Sequence, residues 1–326
     1  MNILRLLSPI WVALGLAACG QSTGPSVNTP QEPAAAASAP VVKQEIALVM
    51  KTLTNPFFVE MEKGARRAEQ ELGVNLVVKT AAQETSIEQQ IQLVEDLTAA
   101  KVNAIVIAPG DSQRLIPALK KARDAGISIV NVDNRLDPDA IQQAGMAPIP
   151  FISVDNEAGA YKAGQFLAKG VTTPTEAAIL EGIRSADNAK QRATGARRAL
   201  LENPHIKLVA SETANWKIDE AYTVTQQMFS AHPKIKLLFA SNDIMAIGAL
   251  KYLQKSGLQG VRVAGFDALN EALAEIRNKR MVATVDQQAA EQGYQGVALA
   301  LRLTQGSSVP SVTTIDTRLI TADTLN

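Results

Sequence analysis

Thiols, imidazoles and aromatic rings are scarce in this chain. Of 326 residues one is cysteine and two are histidine, and Phe, Trp and Tyr together make up 4%. A single cysteine, Cys19, excludes an intramolecular disulfide. Both histidines sit beside prolines, in Asn203-Pro204-His205 and His232-Pro233, a turn context that points to surface loops. No His, Cys or carboxylate pair has metal-ligand spacing. G-x-S-x-G, H-E-x-x-H, G-x-x-x-x-G-K and G-x-G-x-x-G are all missing. The sequence therefore predicts no metal, no cofactor and no nucleophile for an acid or base to serve. Charge of one sign is lacking too: 32 basic residues face 32 acidic ones, which argues against a nucleic-acid partner. Long apolar runs are absent; Ile10–Ala18, at about nine residues, is too short to span a bilayer, which takes roughly 20.

That short apolar run follows a positively charged start, Asn2 to Arg5, so residues 1–18 read as an export signal. It ends in Leu16-Ala17-Ala18-Cys19-Gly20, which resembles the lipobox of bacterial lipoproteins and makes Cys19 the expected lipidation site. Residues 19–44 are rich in Ser, Thr, Pro, Gln and Ala without apolar periodicity, the composition of a tether. Roughly 25 residues at ~3.1 Å each reach ~75 Å when extended. The expected location is extracytoplasmic, with the membrane reached only through the lipid.

From Ile46 onward strand and helix alternate. Candidate strands are Ile46–Met50, Val74–Val78, Ala104–Ala108, Ile127–Asp133 and Phe151–Val154, then Ala177–Glu181, Ile206–Ala210, Ile235–Ala240, Val261–Phe266 and Val282–Val285. Between them apolar residues recur at helical spacing, as in Phe58, Met61, Ala65, Ala68 and Leu72. The pattern predicts an α/β fold of parallel sheets covered by helices on both faces. Ten strands are many for one open sheet, so two doubly wound lobes are expected, parting near Pro148-Ile149-Pro150. Four candidate strands end on polar side chains: Asp133, Asn242, Asp267 and Gln287. Ligands of parallel sheets sit outside the carboxyl ends of the strands, so these endings describe a polar pocket. Asn55-Pro56 suits a helix N-cap and first position; Asn55 either caps alone or caps and meets a ligand. Phe57 falls off the buried helix face. Asp243 reads as a helix N-cap, Asp267 either as a cap or as a contact, and Trp216 either as core or as pocket wall.

Asn55-Pro56-Phe57-Phe58, Asn242-Asp243-x-Met245-Ala246-x-Gly248-Ala249 and Gly265-Phe266-Asp267 together resemble the ribose-binding-protein group of periplasmic sugar-binding proteins, the solute receptors of ABC importers. The resemblance runs from about Ile46 to the C-terminus. It implies a type I periplasmic binding protein fold: two lobes joined by a three-strand hinge near Val154-Asp155, Asp286-Gln287 and Ile315-Asp316. The lobes would comprise residues 45–153 plus 288–315 and residues 154–287 plus 316–326. By position it also implies ligand contacts from Asn55, Phe57, Phe58, Asp133, Asn134, Arg192, Trp216, Asn242, Asp267 and Gln287. The aromatics would sandwich a sugar, and the Arg192 fork would donate to two oxygens.

The chain departs from ribose binders at Lys51, Ala108 and Asn134. Lys51 either pairs with a carboxylate, bends to solvent or reaches the ligand, and Arg135 is a second possible contact. Ribose itself is therefore not carried over; another pentose, a hexose or a polyol fits equally well. The expected activity is capture of such a neutral ligand and delivery to an ABC permease, by a monomer that is not an enzyme. A sugar receptor for a chemotaxis or sensor-kinase partner is the alternative, and an extracytoplasmic enzyme a remote one. A LacI-like regulator would need an N-terminal helix-turn-helix where this chain has its leader and tether.

Overall fold

The computed structural model describes residue 24 and residues 43–325. Cys19 and the apolar leader lie outside the described residues, as does nearly all of the tether. The first strands, β1 (Glu45–Met50), β2 (Asn75–Thr80), β3 (Ala104–Ile107), β4 (Ser128–Val132) and β5 (Phe151–Val154), alternate with helices α1 (Pro56–Leu72), α2 (Ile87–Ala100), α3 (Ile116–Asp124) and α4 (Pro138–Gln143). A second series follows: β6 (Thr175–Glu181), β7 (Ile206–Thr213), β8 (Ile235–Ala240), β9 (Arg262–Ala264) and β10 (Ala283–Asp286). Its helices are α5 (Asn156–Ala168), α6 (Asp187–Leu201), α7 (Ile218–Ala231), α8 (Asp243–Lys255) and α9 (Asn270–Arg277). The chain closes with α10 (Ala289–Thr304), β11 (Val312–Ile315) and β12 (Arg318–Thr321).

Two six-stranded sheets result, in the orders β11-β5-β4-β3-β1-β2 and β12-β10-β9-β8-β6-β7. Among the described residues every pairing is parallel except β10 with β12. Central strands are covered on both faces, which explains their unbroken apolar runs; β3 is buried at every position. Three crossovers link the sheets. After β5 the chain enters α5, which packs on α6; after β10 it returns to α10, which packs on α1; and β11 of the first sheet leads directly to β12 of the second. Periodicity alone left β11 and β12 out, because β11 is exposed or half-exposed at three of its four positions and shows no apolar alternation.

Local chemistry sets the strand exits. Asn55 caps α1, its Oδ1 accepting from the Phe57 N–H, and Pro56 fills the first turn, where no N–H is needed. Gly73, at φ 69°, ends the helix in the left-handed region. Among the described residues no helix is long and apolar enough to cross a membrane.

Candidate functional site

The carboxyl ends of both sheets face each other across a tight cavity, lined by Lys51, Asn55, Phe57, Phe58, Glu84 and Asp133 from the first lobe and Asn188, Arg192, Trp216, Asn242 and Asp267 from the second, with Gln287 at a crossover. In this closed form the lining side chains nearly meet, leaving about 10 Å³ of free space between them. Each lining residue is buried except Asp267, which is half-buried as a whole although its side chain is only 3% exposed. The lobes are closed on one another: the Ser112 N–H donates to Ser185 O at 3.2 Å, and the Asp187 N–H to Ser112 Oγ at 3.0 Å. Next along α6, the Asn188 N–H reaches Asn134 Oδ1 at 3.2 Å.

On the first lobe's side, Lys51 turns inward rather than to solvent. Its Nζ lies 2.8 Å from Asp133 Oδ2 and 3.9 Å from Glu84 Oε2. Glu84 is anchored in turn by Asn55, whose Nδ2 donates to Glu84 Oε1 at 2.8 Å. Burial pushes the Glu84 carboxyl up, against the pull of Lys51 and the Asn55 hydrogen bond. Phe57 and Phe58 meet edge to face, 5.0 Å between centroids, giving this wall an apolar patch beside its charges.

On the second lobe's side, Arg192 is the organising group. Its Nε donates to Asn156 Oδ1 at 2.8 Å, Nη1 to Ser241 O at 3.0 Å and Nη2 to Gln287 Oε1 at 3.1 Å. Three of the five guanidinium N–H groups are thus engaged by protein. The guanidinium also lies 3.9 Å from the Phe266 ring centroid and 5.7 Å from that of Trp216. Asp267 sits 3.7 Å from Arg192 Nη1 and accepts from Gln287 Nε2 at 2.6 Å. Even so, burial pushes the Asp267 carboxyl well above the usual range, against Arg192. Burial likewise pulls Arg192 down, against its surrounding carboxylates. Desolvation outweighs pair attraction for both partners.

Backbone strain concentrates here. Asp133 (φ 63°), Trp216 (φ 64°) and Asp267 (φ 124°) adopt a left-handed backbone that side chains disfavour, at a cost of roughly 1–3 kcal/mol each. The strain aims three strand-end side chains into the cavity. Gly182 makes room for this: a Cβ there would collide with the Trp216 ring.

One capping expectation is corrected, and the capping alternative for Asp267 falls away. The N-cap of α8 is Asn242, whose Oδ1 accepts from the Met245 N–H at 2.9 Å, not Asp243. Asp243 lies one residue into the helix, where its carboxylate accepts from the Leu269 N–H at 2.9 Å and Thr284 Oγ1 at 2.8 Å. Burial raises this carboxyl to about 6. Asp267 caps nothing; α9 has no side-chain cap.

The residues 46–308 match the family described as the periplasmic binding protein domain. The chain belongs to this family. Among its relatives, the D-ribose/D-allose-binding protein of Pseudomonas aeruginosa is 40% identical, covering 82% of this chain and 84% of the relative. The D-allose-binding periplasmic protein of Escherichia coli is 33% identical, covering 85% and 92%. A crystal structure of an ABC transporter periplasmic solute-binding protein from Actinobacillus succinogenes, with bound D-allose, superposes with a TM-score of 0.82 at 39% identity, covering 87% of this chain and 99% of the other. As in those periplasmic binding proteins, the fold is two parallel-dominated α/β lobes.

Of the twelve positions singled out as ligand contacts in the sequence, ten line the cavity and two do not. Asn134 turns away: its Nδ2 donates to Pro109 O at 3.0 Å, and its Oδ1 takes the α6 N–H, so it belongs to the seam between lobes. Arg135 lies over the Phe151 ring, 5.5 Å from the centroid, outside the cavity. Both follow Asp133, whose positive φ swings the chain off the strand direction. Glu84 and Asn188 were missed. Glu84 follows an edge strand, where nothing in the periodicity says that the loop folds inward. Asn188 had a signal: it precedes Arg192 by four residues, so helical spacing puts both on one face.

Proposed function

We propose that this protein is an extracytoplasmic solute receptor that encloses one neutral monosaccharide or polyol between its lobes and delivers it to an ABC importer permease. The observation that carries this reading is the cavity's polar inventory. Two cations, Lys51 and Arg192, face three carboxylates, Glu84, Asp133 and Asp267, and both cations lie within 4 Å of a carboxylate oxygen. An anionic ligand would meet a surplus of carboxylate, whereas hydroxyl groups can donate to the remaining acceptor oxygens. Phe57, Phe58 and Trp216 supply apolar faces for the C–H surface of a sugar ring. Relatives that bind D-ribose or D-allose support the same class.

Ligand would favour the closed form only through contacts made by both lobes together. Asp133 and Lys51 on one side, and Arg192, Asn242 and Asp267 on the other, supply them. The role proposed for these groups is binding, not catalysis, in keeping with a family of binding proteins. The lipobox-like Leu16-Ala17-Ala18-Cys19 supports anchoring of a monomeric receptor through Cys19.

A thermal-shift panel of D-allose, D-ribose, other neutral sugars and D-glucuronate tests the ligand class. A ligand at a hundredfold excess over Kd adds about 2.7 kcal/mol, which amounts to several degrees in a protein of this size. A neutral sugar is expected to give that shift and glucuronate none; stabilisation by glucuronate alone would overturn the reading. Palmitate labelling should vanish in Cys19→Ser, and its persistence would contradict the anchor.

A further inference from the structure

Asn188 is the second residue of α6, and it is 3% exposed. Its Nδ2 donates across the seam to Asp133 Oδ1 at 3.2 Å. That bond fixes the amide's orientation, because only the nitrogen end can face a carboxylate. The other end, Oδ1, is buried on the wall of the cavity and has no hydrogen-bond partner among the described residues. A buried amide oxygen without a partner carries a desolvation cost, and here the group sits beside Asp133, Lys51 and Glu84.

We propose that Asn188 reads the sugar: its Oδ1 accepts a hydrogen bond from one hydroxyl that the ligand presents to the corner formed with Asp133. The assignment rests on the sugar reading given above and makes it more specific. Asp133 and Asn188 then form adjacent acceptors contributed by opposite lobes, already joined by the bond between them. A hydroxyl in that corner is sensed by both lobes, so its presence and configuration affect affinity and closure together. A site that hydrogen-bonds a hydroxyl rejects analogues lacking it far more strongly than an apolar wall does.

Calorimetric titration of the wild-type chain, Asn188→Ala and Asn188→Ser tests this, with D-allose or D-ribose and the corresponding monodeoxy sugars. Unfolding midpoints of the unliganded variants establish that each is folded, and the serine variant stands in should the alanine variant fail. Loss of the hydrogen bond is expected to weaken the parent sugar roughly five- to 150-fold. One monodeoxy analogue should bind the wild-type chain poorly and lose nothing further in the variants, while the other analogues lose the full factor. An equal loss for every analogue, or no loss for any, would overturn the assignment alone, with sugar binding intact. Failure of the wild-type chain to bind any neutral sugar would overturn the sugar reading and the assignment together.

Discussion

The two walls of the cavity solve the same problem differently. The second lobe's wall is tied to itself: Arg192 holds Asn156, Ser241 and Gln287, and Gln287 holds Asp267. The first lobe's wall is a compact charge cluster, Lys51 with Asp133 and Glu84, joined to the other wall through Asn188. Amide and guanidinium geometry that does not depend on closure describes a preformed half-site. A cluster whose central carboxylate bonds across the seam describes the half that is completed on closing. On the proposed reading, order on one side and charge on the other divide holding the ligand from choosing it.

The largest effect should come from the ordered wall. Arg192→Ala removes the cation beside the buried Asp267 carboxyl and three hydrogen bonds, and is expected to cost about 3–5 kcal/mol in urea unfolding. Arg192→Lys should restore little, since one ammonium cannot reproduce a planar fork. A lysine variant as stable as the wild-type chain would break the contrast between the walls.

Next is the acidity of Asp243, which supports that wall from behind, beneath Gly265, where a Cβ would strike its carboxylate. Its folded value is raised from 3.8 to about 6, so the folded chain holds this proton more tightly than the unfolded one. Stability from this group is full below pH ~4 and falls as pH rises through about 6, by about 3 kcal/mol in total. Carboxylates held low, such as Glu181 beside Arg184, act in the opposite sense. The informative quantity is therefore the stability difference between wild type and Asp243→Asn at pH 4 and pH 7. That difference should shift in favour of the asparagine variant on going to pH 7; a constant difference would contradict the burial account.

The charged wall predicts a smaller and compensable effect. Lys51→Met should cost about 1–3 kcal/mol, because Asp133 keeps Asn188 and Glu84 keeps Asn55. Adding Glu84→Gln should recover part of the loss, giving a coupling of about 0.5–1 kcal/mol in a double-mutant cycle. Strict additivity would show that Lys51 and Glu84 do not act as one cluster. Smallest of all, Arg135→Ala should change stability by about 0.5–1 kcal/mol through its contact with Phe151. Sugar affinity in that variant should be unchanged, and a large drop would return Arg135 to the ligand.

The parallel sheets and four of the pocket residues were legible because a strand-end rule applies wherever apolar runs stop on polar side chains. Asp133, Asn242, Asp267 and Gln287 all reach the cavity for that reason. Direction after the strand was not legible. A positive φ at Asp133 sends Asn134 and Arg135 away from the site, and neither composition nor spacing encodes that turn. Glu84 was hidden by its position after β2, an edge strand of the first sheet. Lys51, an apparent misfit in a neutral-sugar pocket, is explained only once Asp133 and Glu84 are seen beside it.

The central claim is that one neutral sugar is held by both walls at once. Small-angle X-ray scattering of the full chain, titrated with D-allose and D-ribose, tests it most directly. The account predicts that one of these sugars reduces the radius of gyration of the wild-type chain, and that Arg192→Ala shows no such change under the same conditions. A sugar that binds tightly by calorimetry while the radius of gyration stays at its unliganded value would contradict closure driven by contacts from both lobes.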